Sequence, residues 1–200
     1  MTWLVTAYEP FGGAQTNSSL ILLNRLREKD WQGSIDFFGL VPVVFAEAWT
    51  VVRRELERRP HVKGVLALGQ AEWRTKISLE RIALNWIDAS IPDNDGAQPR
   101  NCRINDNAPD VLWSNIPWEN LEHSAQRELS YSAGTHLCNF LLYNLLHWGQ
   151  DNGKTCGFVH IPLLQSQTDA ALQKYLPRMP DDIAIGCLSE ILSFLLTRNT

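Results

Sequence analysis

The stretch ELSYSAGTHLCNFLLYNLLHWGQDNGKTCGFVHIP, residues 128–162, carries a complete strand, helix and strand, and its reading decides the fold. Residues 128–132 form a short β-like run that ends in the small residues Ser132, Ala133 and Gly134. From residue 136 to 148 apolar side chains recur at three- and four-residue spacing, which predicts a helix. Residues 158–161 return to a β-rich apolar run that stops at Pro162. The same alternation extends outward in both directions. Strand-like runs cover residues 3–6, 35–41 and 65–68, and helical spacing covers 20–29, 45–59 and 183–196. Strands alternating with helices predict an α/β fold, a three-layer α/β/α sandwich with a sheet covered on both faces. The run 77–89 has no helix after it, so it predicts a protruding hairpin arm on a mixed, mostly parallel sheet. Residues 91–122 are rich in Pro, Asn and Asp and read as irregular, and a loop of that length in a compact domain is often functional. Without an internal repeat or a linker between composition regimes, residues 1–200 read as a single domain.

The chain has 200 residues, 44% of them hydrophobic and 20% charged, with a formal net charge of -4. The charges are interspersed, and no basic run is present to neutralise phosphates or an anionic membrane surface. Nucleic acid and membrane are therefore excluded as expected partners. The N-terminal segment has no basic, then apolar, leader pattern, and no run approaches the roughly 20 apolar residues of a membrane span, so a cytoplasmic location is expected. The four cysteines, Cys102, Cys138, Cys156 and Cys187, show no CxxC spacing. That pattern predicts reduced thiols and neither a disulfide framework nor a ribbon-type zinc site.

Three residues can carry chemistry together. Cys138 falls in the first turn of the predicted helix, facing unpaired N–H groups and the positive end of the helix dipole, which favour thiolate over thiol and could hold an oxyanion. Read alone, a cysteine in such a place is more often just a small buried apolar residue. His160 stands at the end of an apolar strand, where ligands of α/β sheets collect, and could take and return the thiol proton. The bland alternative is a hydrogen-bonded structural histidine. By strand parity Glu80 shares a face with Ile82, Leu84 and Trp86, where a carboxylate needs a partner. That partner is either an imidazole to orient or an arginine, Arg74 or Arg81.

Two segments suit ligand binding. In Tyr8-Glu9-Pro10-Phe11-Gly12-Gly13 a strand opens into a turn with aromatic rings and flexible glycines, a wall for a flat ring. Gly69-Gln70 ends another strand, where an amide could read a polar ligand edge.

In order and spacing these segments resemble the pyrrolidone carboxyl peptidases, or pyroglutamyl peptidases type I, cysteine peptidases of family C15. The resemblance also runs through Leu40-Val41-Pro42-Val43, Asp88-Ala89, Ile91-Pro92-Asp93-Asn94 and Cys138-Asn139. It implies an α/β/α fold, a catalytic Cys138, His160 and Glu80, and hydrolytic removal of N-terminal 5-oxoproline from a blocked peptide substrate through a thioacyl-enzyme. It further implies substrate contacts from Tyr8, Phe11, Asn17, Gln70, His136 and Leu137, no metal or organic cofactor, and a homotetramer. The chain departs from the family pattern at Ala7-Tyr8 in place of Gly-Phe, at Glu72-Trp73 in place of a small pair, at Ser90 in place of Arg, at Tyr131 in place of Asn, and at His136 in place of an apolar or aromatic residue. A related thiol amidase with another N-terminal specificity, or a binding protein on the same scaffold, stays open at this point.

Overall fold

The computed structural model describes residues 2–169, 172 and 174–197. In chain order they form β1 (Thr2–Tyr8), α1 (Ser18–Arg27), β2 (Ile35–Val41), α2 (Ala48–Glu57), β3 (Val62–Gln70), β4 (Ile77–Glu80), β5 (Ile82–Leu84), β6 (Val111–Trp113), β7 (Arg127–Ser130), α3 (Leu137–Asn152), β8 (Thr155–Ile161), β9 (Leu163–Leu164), β10 (Arg178–Met179) and α4 (Asp181–Thr197). Six strands make one sheet in the order β2-β1-β3-β8-β4-β7. Every neighbouring pair is parallel except β8 with β4, so the sheet is mixed and mostly parallel.

Alternation along the strands divides the core in two. Trp3, Val5, Leu66, Leu68, Val159 and Ile161 pack under α1 and α4, with Leu22, Leu26, Leu188 and Ile191 facing them. Leu4, Val65, Ala67 and Phe158 pack on the other face, under α2 and α3, against Val52, Leu56, Leu141 and Leu145. Helices thus cover both faces, as the strand–helix alternation predicts. None of the described helices is long and apolar enough to cross a membrane.

The antiparallel arm expected from residues 77–89 takes shape in two pieces. Strand β4 joins the main sheet, the chain bends at Arg81, and β5 pairs antiparallel with β6 instead. A single bridge between Ile87 and Cys102 extends that pairing. Ala83 and Leu112 are buried beneath α3, so the arm lies on the helix layer. The long loop after it is held by buried polar side chains that replace sheet hydrogen bonds. Asn85 Nδ2 donates to the carbonyls of Asn105 (2.7 Å) and Ala108 (3.1 Å), while its Oδ1 accepts from the N–H groups of Ile104 and Asn105. Asp93 accepts from the N–H groups of Phe45, Asp95 and Ala97 at 2.8–3.0 Å, tying the loop to the start of α2.

Candidate active site

The site assembles where α3 begins above the ends of β3 and β8. His136 is the extended residue that precedes the helix, and it offers no side-chain cap. The first helical hydrogen bond runs from the Phe140 N–H to the His136 carbonyl (3.0 Å), which leaves Leu137, Cys138 and Asn139 with N–H groups that have no partner within the helix. Buried Asn139 pins this turn in place. Its Oδ1 accepts from the Leu84 N–H (2.8 Å), and its Nδ2 donates to the carbonyls of Leu84 (2.8 Å) and Trp86 (3.0 Å). The arm therefore serves as the seat of the helix that carries Cys138.

Sheet register brings the other groups beneath the thiol. Gly69 of β3 is paired with His160 of β8, and His160 is paired with Ser78 of β4. One step along the antiparallel ladder on the same face stands Glu80, and its Oε1 lies 2.7 Å from His160 Nδ1. An ionised carboxylate can only accept, so Nδ1 carries the hydrogen and Nε2 is left free to receive one. Both residues are buried, His160 4% and Glu80 0% exposed. A Cβ on Gly69 would sit 2.6 Å from Phe158 Cζ and 3.1 Å from Cys138 Sγ. Glycine is required there because the Phe158 ring and the thiol occupy that space, which lodges Sγ over the strand position next to His160. The Phe158 ring in turn backs the imidazole, with centroids 4.9 Å apart.

Glu80 has both of the partners that parity left open. Arg74 Nη1 lies 2.8 Å from the same Oε1, and Arg74 Nη2 donates to the Ser132 carbonyl (2.8 Å). Arg81 pairs with Glu119 instead. The shared face with Ile82, Leu84 and Trp86 is corrected by the bend at Arg81: Ile82 and Leu84 lie on another sheet, half-buried, and Trp86 is exposed. Glu80 is buried because β8 and β7 flank it on both sides.

The electrostatics assign protonation states. Burial pushes the Glu80 carboxyl up, but His160, Ser130 and Arg74 together outweigh it and hold the group below its ordinary value. Burial pushes the His160 imidazole down, against the pull of Glu80, so the ring is neutral at neutral pH. Burial, aided by the Glu80 charge and only partly offset by Arg74, pushes the Cys138 thiol up to about 12. The thiolate preference expected of a helix start is thus outweighed by depth. Cys138 thus rests as a thiol and His160 as a neutral imidazole, a pair of groups that can exchange a proton.

A small cavity of about 50 Å³ opens beside the thiol. It is lined by Tyr8, Phe11, Asn17, Val43, Gln70, His136, Leu137 and Cys138. All six residues named as substrate contacts surround it, and Val43 joins them from the segment after β2. The Asn17 and Gln70 amides are already engaged at the start of α1. Asn17 Oδ1 accepts from Ser19 N–H (2.9 Å) and Ser19 Oγ (2.7 Å), and Gln70 Oε1 accepts from Ser18 N–H (2.8 Å) and Gln167 Nε2 (2.9 Å). Of the departures from the family pattern, Tyr8 and His136 reach the cavity. Glu72 touches it through Gln70 (3.4 Å), Ala7 is buried in the opposite core, and Ser90, Trp73 and Tyr131 are exposed. Arg74 and Asn139 are the two residues whose roles sequence reasoning did not assign. Arg74 entered only as a rival partner for Glu80, and Asn139 only as the neighbour of the cysteine.

The model of the pyroglutamyl peptidase family matches residues 1–193. The pyrrolidone-carboxylate peptidase of Vibrio parahaemolyticus is 38% identical over 170 residues, 82% of this chain and 79% of that protein. That of Bacillus subtilis is 32% identical over 193 residues, 92% of this chain and 87% of that protein. Among solved structures, pyroglutamyl peptidase I of Bacillus amyloliquefaciens superposes with a TM-score of 0.89 at 30% identity, covering 98% of this chain and 95% of that one. Pyrrolidone carboxyl peptidase of Thermococcus litoralis gives 0.85 at 31% identity, covering 98% and 93%.

Proposed function

The chain belongs to the pyroglutamyl peptidase family, and from that membership we propose that Cys138, His160 and Glu80 are the groups with which it removes N-terminal pyroglutamate from peptides. The observation that carries the assignment is the buried 2.7 Å bond from His160 to Glu80 under a thiol lodged against Gly69.

The steps follow from the protonation states. The pyroglutamyl ring enters the cavity and sets its exocyclic carbonyl over Sγ. His160 Nε2 takes the thiol proton as Sγ bonds to the carbonyl carbon, because the thiol does not ionise by itself at neutral pH. Glu80 holds the ring tautomer and stabilises the imidazolium that forms. The N–H groups at the start of α3 face the oxyanion. Collapse of the tetrahedral intermediate breaks the C–N bond, and His160 gives its proton to the departing amine. Water, deprotonated by His160, then attacks the thioester, releasing pyroglutamate and restoring the thiol.

The reading extends to a cytoplasmic homotetramer that needs neither nucleic acid nor membrane. Four free cysteines suit a reducing compartment, and the family resemblance supports the tetramer. The function is tested by release of fluorophore from pyroglutamyl-aminomethylcoumarin. The wild-type chain turns it over and Cys138→Ala does not; equal release from the two would refute the assignment of the nucleophile.

A further inference from the structure

The proposed chemistry fixes where each half of the substrate lies. The ring enters a cavity lined by Tyr8, Phe11, Asn17 and Gln70, on the β1 side of the thiol. The base stands on the other side, with His160 on β8 and Glu80 on β4, and β3 lies between β1 and β8. Because His160 gives its proton to the departing amine, the residue that follows the pyroglutamyl group leaves the thiol over the end of β8. The turn after β3 spans this ground. Ala71 N–H donates to the Ile161 carbonyl (2.8 Å), and Arg74 N–H donates to the Ala71 carbonyl (3.2 Å), which puts Glu72 and Trp73 at the tip. Arg74 then reaches on to Glu80 and to the Ser132 carbonyl, both at 2.8 Å.

The tip carries one half of an aromatic pair that the proposed chemistry leaves unused. Trp73 and Tyr175 meet with ring centroids 6.1 Å apart, yet they are 68% and 73% exposed. Two large rings side by side in solvent present a joined apolar surface, which marks a binding surface more than scattered single side chains do. Both stand on anchored backbone. Trp73 lies between Gln70 on the cavity wall and Arg74 on Glu80. Tyr175 precedes Leu176, which is buried with Leu163 and Leu172, and Gln167 of the same segment donates to Gln70 Oε1 (2.9 Å). We propose that Trp73 and Tyr175 form the platform for the side chain of the residue after the pyroglutamyl group, and that they select an aromatic one. The inference rests on the chain acting on pyroglutamyl peptides. The rival occupant is a cationic side chain drawn by Glu72, whose carboxylate lies 3.4 Å from Gln70 Nε2. Exposed Lys174 precedes Tyr175 as Glu72 precedes Trp73, so opposite charges border the two rings and the property they share is apolar.

The test uses pyroglutamyl-phenylalanylglycine and pyroglutamyl-alanylglycine, which differ only in the side chain at issue, with pyroglutamyl-lysylglycine for the rival. Released pyroglutamate, separated by liquid chromatography, reads turnover by wild type, Trp73→Ala, Trp73→Phe and Tyr175→Ala. The wild type prefers the phenylalanyl to the alanyl peptide in kcat/KM by about tenfold, and Trp73→Ala loses most of that preference. Trp73→Phe keeps part of it, and Tyr175→Ala weakens it. Equal falls for both peptides in Trp73→Ala would mean that Trp73 acts by holding Arg74, and that result overturns the inference. So does a wild type indifferent between the two peptides, or one that turns over the lysyl peptide faster than either. Failure of the wild type on all three peptides is a separate result, which strikes the proposed function itself.

Discussion

Replacing Arg74 by Gln removes a positive charge that shares one oxygen of Glu80 with the imidazole of His160, the two approaching it at 2.8 and 2.7 Å. Two groups on the same oxygen stand roughly 5 Å apart, and at an effective dielectric constant of about 20 their interaction is worth about 3 kcal/mol. Arg74 is 24% exposed, so solvent screens part of this and a shift of about one pH unit is expected for the imidazole. The sign is fixed: the guanidinium disfavours the imidazolium, so its loss raises the His160 pKa. The base must be neutral to act, and the acid limb of kcat/KM accordingly moves to higher pH in the variant. The plateau falls too, because the thiol loses the cation that offsets part of its upward shift. The assay is kcat/KM against pH from acid to mildly alkaline conditions for wild type, Arg74→Gln and Arg74→Lys, with lysine keeping the wild-type limb more closely. If all three profiles are parallel and differ only in height, Arg74 is a loop anchor to Ser132 and has no influence on the base.

Gly69→Ala forces a methyl group to within 2.6 Å of the Phe158 ring and 3.1 Å of Sγ, and displacing both is expected to lower kcat/KM by about a hundredfold or more. A loss of less than threefold in steady-state turnover would show that the thiol is not held against β3. Asn139→Ala strips three hydrogen bonds from the junction of α3 and β5, leaves the Leu84 and Trp86 backbone groups without these partners, and should destabilise the fold by about 2–4 kcal/mol. Urea denaturation gives that figure, and a loss under about 1 kcal/mol would mean that the arm does not seat the helix.

The elements that periodicity revealed are those whose neighbours supply a uniform environment. Residues 65–68 and 158–161 lie in the buried interior of the sheet, and α3 buries Leu141, Leu142, Leu145 and Leu146 on one side. The break at Arg81 was not legible, because alternation continues through a bend while the chain changes partners from β7 and β8 to β6. Strand β6 is three residues long and finds β5 across the long loop, a pairing that no local pattern encodes. The loop also sends Ile116 and Trp118 under β8, where a Cβ on Gly157 would meet Ile116 Cδ1 at 2.3 Å. Their burial depends on a glycine forty residues away in sequence, which is why the segment reads as merely irregular.

The site divides along the same line, between what type and order reveal and what depth decides. A cysteine at a helix start, a histidine at a strand end and a lone glutamate on a strand are recognisable because each residue type is unusual for its place. The protonation of the cysteine is not, since the helix start favours thiolate and burial favours thiol, and only the packed structure says which prevails. With the thiol pushed up to about 12 and the imidazole held neutral, the proposed nucleophile reacts only when a carbonyl is presented to it and the proton can pass to His160 as the bond forms. Reactivity then depends on how the ring is seated, and the seat is the part of the molecule in which Tyr8 and His136 depart from the family pattern. Two amides expected to read the substrate, Asn17 and Gln70, already accept hydrogen bonds at the start of α1. In the proposed mechanism, an error in seating the ring becomes an error in aligning the carbonyl with Sγ.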